Sequence, residues 1–337
     1  MKKILIIHTG GTFGMVPTKP SETLAPAAIQ EHILNYLPEI TQLADVHFEV
    51  AFNIDSAEIQ PTHWNQLAKL IYQRYEQYDG FLIIHGTDAM VYTAAALSFM
   101  LQGLNKPVVM TGSQRPLAMI RSDARSNLIN SLELATYNIP EVTVFFGTRL
   151  FRGNRTIKIS STHFNAFESP NYPPLAEVGL DVVLTGKHLP PGNQFRLVTG
   201  FDREVFCFNF FPGLNREYLE LLLDSPVKAV VVNALGLGNL SVEENPLIPW
   251  IEKMSEKGKV VVISSQSVHG KTDLSLYRCG KLAMDAGAVD SGDMTTSATV
   301  VKLMHLLARF EDPGTVRKKL IEPIAGEISS KRSGDSQ

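Results

Sequence analysis

Four short stretches hold residues whose types could do chemistry: "TGGTFGM" at 9–15, "HGTDAM" at 85–90, "TGSQRP" at 111–116 and "RGNRTIK" at 152–158. They supply Thr12, Thr87, Asp88, Ser113 and Lys158, with Gly10, Gly11 and Gly86 beside the threonines, and "NIDS" at 53–56 adds Asp55 and Ser56. A hydroxyl attacks a carbonyl carbon only when a base takes its proton. A neutralised lysine, held in place by a carboxylate, can be that base. With no Ser/His/Asp pattern in the chain, Thr plus Lys plus Asp is the hydrolytic set on offer.

The elements that must position this set are legible as a rhythm. "KKILIIH", "VHFEVAFNI", "FLIIHG", "PVVMTG" and "VTVFFG" read as strands, and helical patterns lie between them, among them "PTHWNQLAKLIYQRYEQY" and "AMVYTAAALSFMLQGL". Runs that are apolar throughout predict strands covered on both faces. In the second helical pattern Trp64, Leu67, Ile71, Tyr75 and Tyr78 recur at helical spacing, with Thr62 as its N-cap candidate. Strand–helix alternation predicts an α/β fold with a doubly wound, flavodoxin-like, mostly parallel sheet. In such a sheet ligands bind beyond the carboxyl ends of the strands. There the chain places Thr9–Thr12, Asn53–Ser56, Gly86–Asp88 and Thr111–Ser113, a polar edge suited to a small polar molecule.

Residues 150–205 are irregular and rich in Pro, Gly and Asn, and read as a catalytic hairpin followed by a connection. Strands and helices then alternate again from "EVFCFNFFPGL". The expected organisation is a catalytic α/β domain at 1–188, a linker at 189–206, a smaller α/β domain at 207–328 and a disordered tail at 329–337.

Plainer readings compete for each residue. Asp88 could cap the helix that follows it, and Ser56 could be a turn residue. Lys158 could be a solvated surface lysine. His8 and His85, at strand ends, suit packing better than metal ligation, since no HExxH spacing accompanies them. "TGGTFG" is not GxGxxG, and no acidic residue follows at the distance a ribose ligand needs, so dinucleotide binding is disfavoured. A formal charge of −3 gives no basic footprint for nucleic acid. Dense basicity is confined to "RLFRGNR" and the tail. Cys207 and Cys279 sit in no metal or CxxC spacing, which fits a reduced compartment. The first apolar stretch stops at His8, short of a signal-peptide core of roughly 7–15 residues. No run approaches the ~18 apolar residues of a membrane span. The chain is expected to be soluble and cytoplasmic, with no cofactor, no metal, no membrane and no nucleic-acid partner.

The four quoted motifs resemble the signature segments of bacterial L-asparaginases, most closely the type I, cytoplasmic branch of the asparaginase/glutaminase family. "SFMLQGLNKPVVMTGSQ", "SDARSNLINSL" and "FNAFESPNYPPL" extend the resemblance, and "GLGNL", "SSQSVHGK" and "DMTTSATVVKL" carry it more loosely to the end of the chain. The resemblance implies hydrolysis of asparagine to aspartate and ammonia through a threonine acyl-enzyme, with minor glutaminase activity. It implies Thr12 as the nucleophile and Thr87, Asp88 and Lys158 as a proton relay. Asp88 would also hold the substrate's α-ammonium. Asp55 and Ser56 would bind the α-carboxylate and α-amine, with Gly11, Gly86 and Ser113 also lining the substrate. Backbone N–H groups near Gly11, Thr87 and Ala89 are candidates for an oxyanion hole. It further implies a small amino-acid amide as substrate, and a homo-oligomer, either a dimer or a tetramer of tight dimers.

The chain departs from the family pattern in the loop after the first motif. The usual tyrosine is missing between Phe13 and Ile29, and Thr23 or Leu24 falls near its place. The polar positions of the type I effector pocket are poorly reproduced around Asn233 and Ser264–Ser267, so allostery is not carried over. An amidohydrolase for another small amide, or an amino-acid sensor without turnover, are the other readings of the same residues.

Overall fold

The computed structural model describes residues 1–15 and 26–329; the loop lacking the tyrosine and the tail from 330 on lie outside the described residues. The chain forms two compact units, Met1–Thr199 and a second beginning at Gly200.

In the first unit β1 (Lys3–Gly10) leads through α1 (Pro26–Tyr36) to β2 (Asp45–Ile54), and α2 (Pro61–Arg74) leads to β3 (Gly80–Ile84). Then follow α3 (Met90–Met100), β4 (Leu101–Gln102), β5 (Val108–Thr111), α4 (Ala124–Leu134) and β6 (Val142–Phe146). β2, β1, β3, β5 and β6 lie side by side in that order, all parallel. This is the flavodoxin-like winding, whose ligand crevice opens between β1 and β3. The sheet continues antiparallel beyond β6 through β7 (Arg149–Arg152), and, past the two-residue strands β8 (Ile157–Lys158) and β9 (Phe167–Glu168), through β10 (Ala176–Val178) and β11 (Val182–Leu184), to eight strands.

β1, β3, β5 and β6 are buried almost throughout, as all-apolar runs require. β2 differs from the expectation of two covered faces. It is an edge strand, partly exposed along its length, and Val46, Phe48 and Val50 alternate onto the core. α2 buries Trp64, Leu67, Ala68 and Ile71 on one face. It begins one residue before Thr62, which lies inside the first turn and is not the cap; the Gln60 amide closes the start by donating to His63 Nδ1. The helix ends at Arg74, and Tyr78 is extended. The stretch expected as linker is not free chain. β12 (Arg196–Leu197) pairs with β4, and Val198 N donates to Met100 O, so its first part belongs to the first unit.

The second unit is a four-stranded parallel sheet of β13 (Val205–Asn209), β14 (Ala229–Ala234), β15 (Val260–Ser265) and β16 (Val289–Asp290), in that order. After the short α5 (Glu217–Glu220), α6 (Ile248–Glu256) and α7 (Arg278–Asp285) complete the core around Trp250 on one face of the sheet. α8 (Thr296–Leu307) and α9 (Pro313–Leu320) complete the core around Leu303 and Val316 on the other.

Candidate active site

The switch point between β1 and β3 is built by backbone touching backbone. Gly10 has φ of 104°, and a methyl there would sit 2.1 Å from Ile54 O; Gly11 has φ of 86°, and a methyl there would sit 2.5 Å from Gly86 Cα. Only glycine meets both the dihedral and the space. The two strand ends therefore carry Thr12 and Thr87 into one crevice. Thr12, partly exposed, opens a single 3₁₀ turn, Thr12–Gly14. Phe13 behind it is buried, and its carbonyl accepts from Leu117 N.

The structure brings Thr87, Asp88 and Lys158 together. Lys158 lies on β8, paired with Phe167 of β9 in a short hairpin. Its Nζ is 2.9 Å from Thr87 Oγ1 and 2.5 Å from Asp88 Oδ1. The Lys158 side chain is only 17% exposed, which sets aside the solvated-lysine reading, whereas that of Asp88 is 70% exposed. Asp88 does not cap α3: the N-cap position is Ala89, and no side-chain cap bond forms there. Ser56 is buried, and its Oγ accepts from Asp88 N at 3.2 Å. Gly86 packs on Ser56 so closely that a methyl there would stand 2.7 Å from Ser56 Oγ. Asp55 uses one carboxylate oxygen to cap the turn Ser56–Glu58 by accepting from Ala57 N. Ser113 is buried, with its Oγ lacking a partner among the described residues.

A layer beneath these groups was not singled out from sequence. Gln114 Oε1 accepts from Thr87 Oγ1, and Gln114 Nε2 donates to the carbonyls of Ser160 and His163. Asp123, buried, takes the amides of Gln114 and Arg115 and the side chain of Asn127. Burial pushes the Asp123 carboxyl up, partly offset by those donors. Asn127 in turn donates to Gly112 O and accepts from Gly147 N. The signal for this pair was its four-residue spacing at the start of α4, which puts both side chains on one helix face.

Two arginines of "RGNRTIK" are interior groups and form no basic patch. Arg152 is 4% exposed and pairs with equally buried Glu141 at 2.6 Å, and Tyr172 lies over both Arg152 and Arg155. This cluster anchors the chain that turns into β8 and carries Lys158. His8 and His85 are buried, and desolvation lowers both to a pKa of about 4. The His85 ring donates from Nδ1 to Gly86 O, which fixes its neutral tautomer. Among the described residues no cluster of His, Cys, Asp and Glu has the arrangement of a metal site.

The chain matches two family models, "Asparaginase, N-terminal" over residues 3–189 and "Glutaminase/Asparaginase C-terminal domain" over residues 204–320. It is 37% identical over 335 residues to L-asparaginase 1 of Escherichia coli (strain K12), covering 97% of this chain and 98% of that protein. The solved structure of L-asparaginase I from Vibrio cholerae superposes with a TM-score of 0.90 at 36% identity, over 98% of this chain and 99% of that one. A probable cytoplasmic L-asparaginase from Campylobacter jejuni superposes with a TM-score of 0.79 at 26% identity, over 95% and 99% of the two chains.

Proposed function

The chain belongs to the asparaginase family, and on that premise we propose that it hydrolyses L-asparagine to L-aspartate and ammonia through an ester on Thr12. The observation that carries this reading is the convergence of Thr87, Asp88 and Lys158 at hydrogen-bond distance, beside the Gly11–Gly86 contact that brings Thr12 to the same crevice.

In the first step Thr12 Oγ bonds to the side-chain amide carbon of the substrate. The hydroxyl proton ends on the departing nitrogen, ammonia leaves, and a β-aspartyl ester remains. Water then adds to the ester carbon, its proton returns to Thr12 Oγ, and aspartate leaves. Thr87, Lys158 and Asp88 form the relay that carries the protons. Backbone N–H groups near Gly11, Thr87 and Ala89 hold the oxyanion. Asp88, mostly exposed, has acceptor capacity beyond its lysine for the α-ammonium. Asp55, Ser56, Gly86 and Ser113 complete the substrate's polar surroundings. Glutamine is longer by one methylene, a difference worth only about 1–3 kcal/mol in a pocket, so minor glutaminase activity accompanies the main one. Ammonia release from asparagine and glutamine tests the reading. Turnover of asparagine with a smaller rate on glutamine is expected, and release from neither would refute it.

We also place the enzyme in the cytoplasm as a homo-oligomer, a dimer or a tetramer of tight dimers. The two cysteines are free thiols, and charge developing on the oxyanion is better stabilised where bulk solvent is excluded, whereas Asp88 is open in the single chain. Light scattering with activity followed through a dilution series checks the assembly; a fully active dilute monomer would overturn it.

A further inference from the structure

Gln114 lies at the meeting point of three segments that approach the relay from different directions. Its backbone N–H is held by both oxygens of buried Asp123, at 3.1 and 3.0 Å, which fixes the loop after β5. Its side-chain nitrogen Nε2 donates to His163 O at 3.2 Å and Ser160 O at 3.4 Å, on the loop that follows Lys158. That loop is itself stiffened, because Ser160 Oγ accepts from the backbone amides of both Thr162 and His163. Two carbonyls facing one end of the amide leave it a single orientation: nitrogen toward the loop, oxygen toward Thr87. An amide oxygen has no proton to give, so across the 3.3 Å contact Thr87 must be the donor. The Thr87 hydroxyl has only one proton. Once that proton points at Gln114, the oxygen meets Lys158 Nζ, 2.9 Å away, as an acceptor.

We propose that Gln114 is a positioning residue for the relay, fixing the direction of the Thr87 hydroxyl so that its lone pairs are presented to Lys158 and to the reacting proton. The role rests on the functional reading above, in which Thr87 belongs to the proton path. Without the Gln114 oxygen the hydroxyl rotates among several directions, and only one of them serves. The interaction is made at Thr87 and not at the substrate, so its loss lowers kcat and leaves KM unchanged.

The test uses the full-length enzyme and steady-state kinetics on asparagine across pH, with wild type, Gln114→Met, Gln114→Glu and Thr87→Val. Gln114→Met keeps length and bulk but offers no strong acceptor, and kcat should fall about 3- to 10-fold, the worth of one ordinary hydrogen bond. Gln114→Glu adds a readout that a purely structural residue would not move. Its protonated acid keeps one donor for the loop carbonyls and one acceptor for Thr87, so activity is retained at acidic pH. Once ionised, the carboxylate is repelled by the Ser160 and His163 carbonyls and releases Thr87, so kcat falls as pH rises where that of wild type does not. Should Gln114→Met fail to fold, the Gln114→Glu profile decides alone. Wild-type kcat in Gln114→Met, or a Gln114→Glu profile superimposable on wild type, overturns the positioning role while Thr87→Val is inactive. A wild-type enzyme that releases no ammonia from asparagine overturns the functional reading instead, and the positioning role with it.

Discussion

At the scale of single residues, types and local glycine context singled out Thr12, Thr87, Asp88 and Lys158 as candidates in the sequence. Their juxtaposition was not readable, because Lys158 and Asp88 stand 70 residues apart. Gln114 was invisible for the same reason. Its part depends on contacts with Thr87, Asp123 and a loop near 160, and none of these is implied by the letters around it. Thr12→Ala removes one hydroxyl from a turn, and should leave a folded protein that binds asparagine and does not turn it over. Ammonia release, with circular dichroism as the control for folding, checks this. Lys158→Met should lower kcat by at least ~100-fold, the lower bound for losing acid–base assistance. Near-normal turnover there would leave Lys158 with a structural part only and remove it from the relay.

At the scale of elements, the alternation of apolar runs with helical patterns was enough for the winding, since the runs of β1, β3, β5 and β6 became buried strands of one parallel array and that of β2 its edge. Edges and ends were harder. β2 alternates, with Val46, Phe48 and Val50 toward the core and His47 and Glu49 on the other side, and its place at the sheet edge leaves that polar side uncovered. α2 ends at Arg74, before the periodicity does: Tyr75, beyond the helix, is held by Asn105, an anchor from another segment. The hairpin that presents Lys158 depends on a buried pair, Arg152 with Glu141, and Glu141 also accepts the amide of Leu189. Glu141→Leu removes the carboxylate from a buried guanidinium, and a loss of about 3–5 kcal/mol is expected. Urea unfolding of the first unit measures it. A change within error would mean that the pair is not what holds the hairpin.

At the scale of the whole molecule, both units carry histidines that burial keeps neutral. His8 and His85 in the first and His305 in the second are lowered from 6.5 to about 4, in each case chiefly by desolvation. The unfolded chain takes up protons below its own histidine pKa of about 6.5, while the folded chain does not until near pH 4, so more protons are bound in the unfolded state across that window. Stability is therefore full above about pH 6.5 and falls as pH drops toward 4, by up to about 3 kcal/mol for each histidine. Thermal melts between pH 4 and 8 should show Tm rising with pH up to about 6.5 and then levelling, as far as these groups are concerned. A flat profile below pH 6 would contradict the burial of neutral rings.

Rapid quenching of the enzyme with asparagine, followed by intact-mass and peptide mass spectrometry, tests most directly the claim that Thr12 forms the ester served by Thr87, Asp88 and Lys158. Wild type, and more strongly a variant in which release of the ester is slowed, should carry a β-aspartyl adduct on the peptide containing Thr12. Thr12→Ala should carry none. Normal ammonia release with no adduct, or an adduct mapped to another residue, would contradict the account.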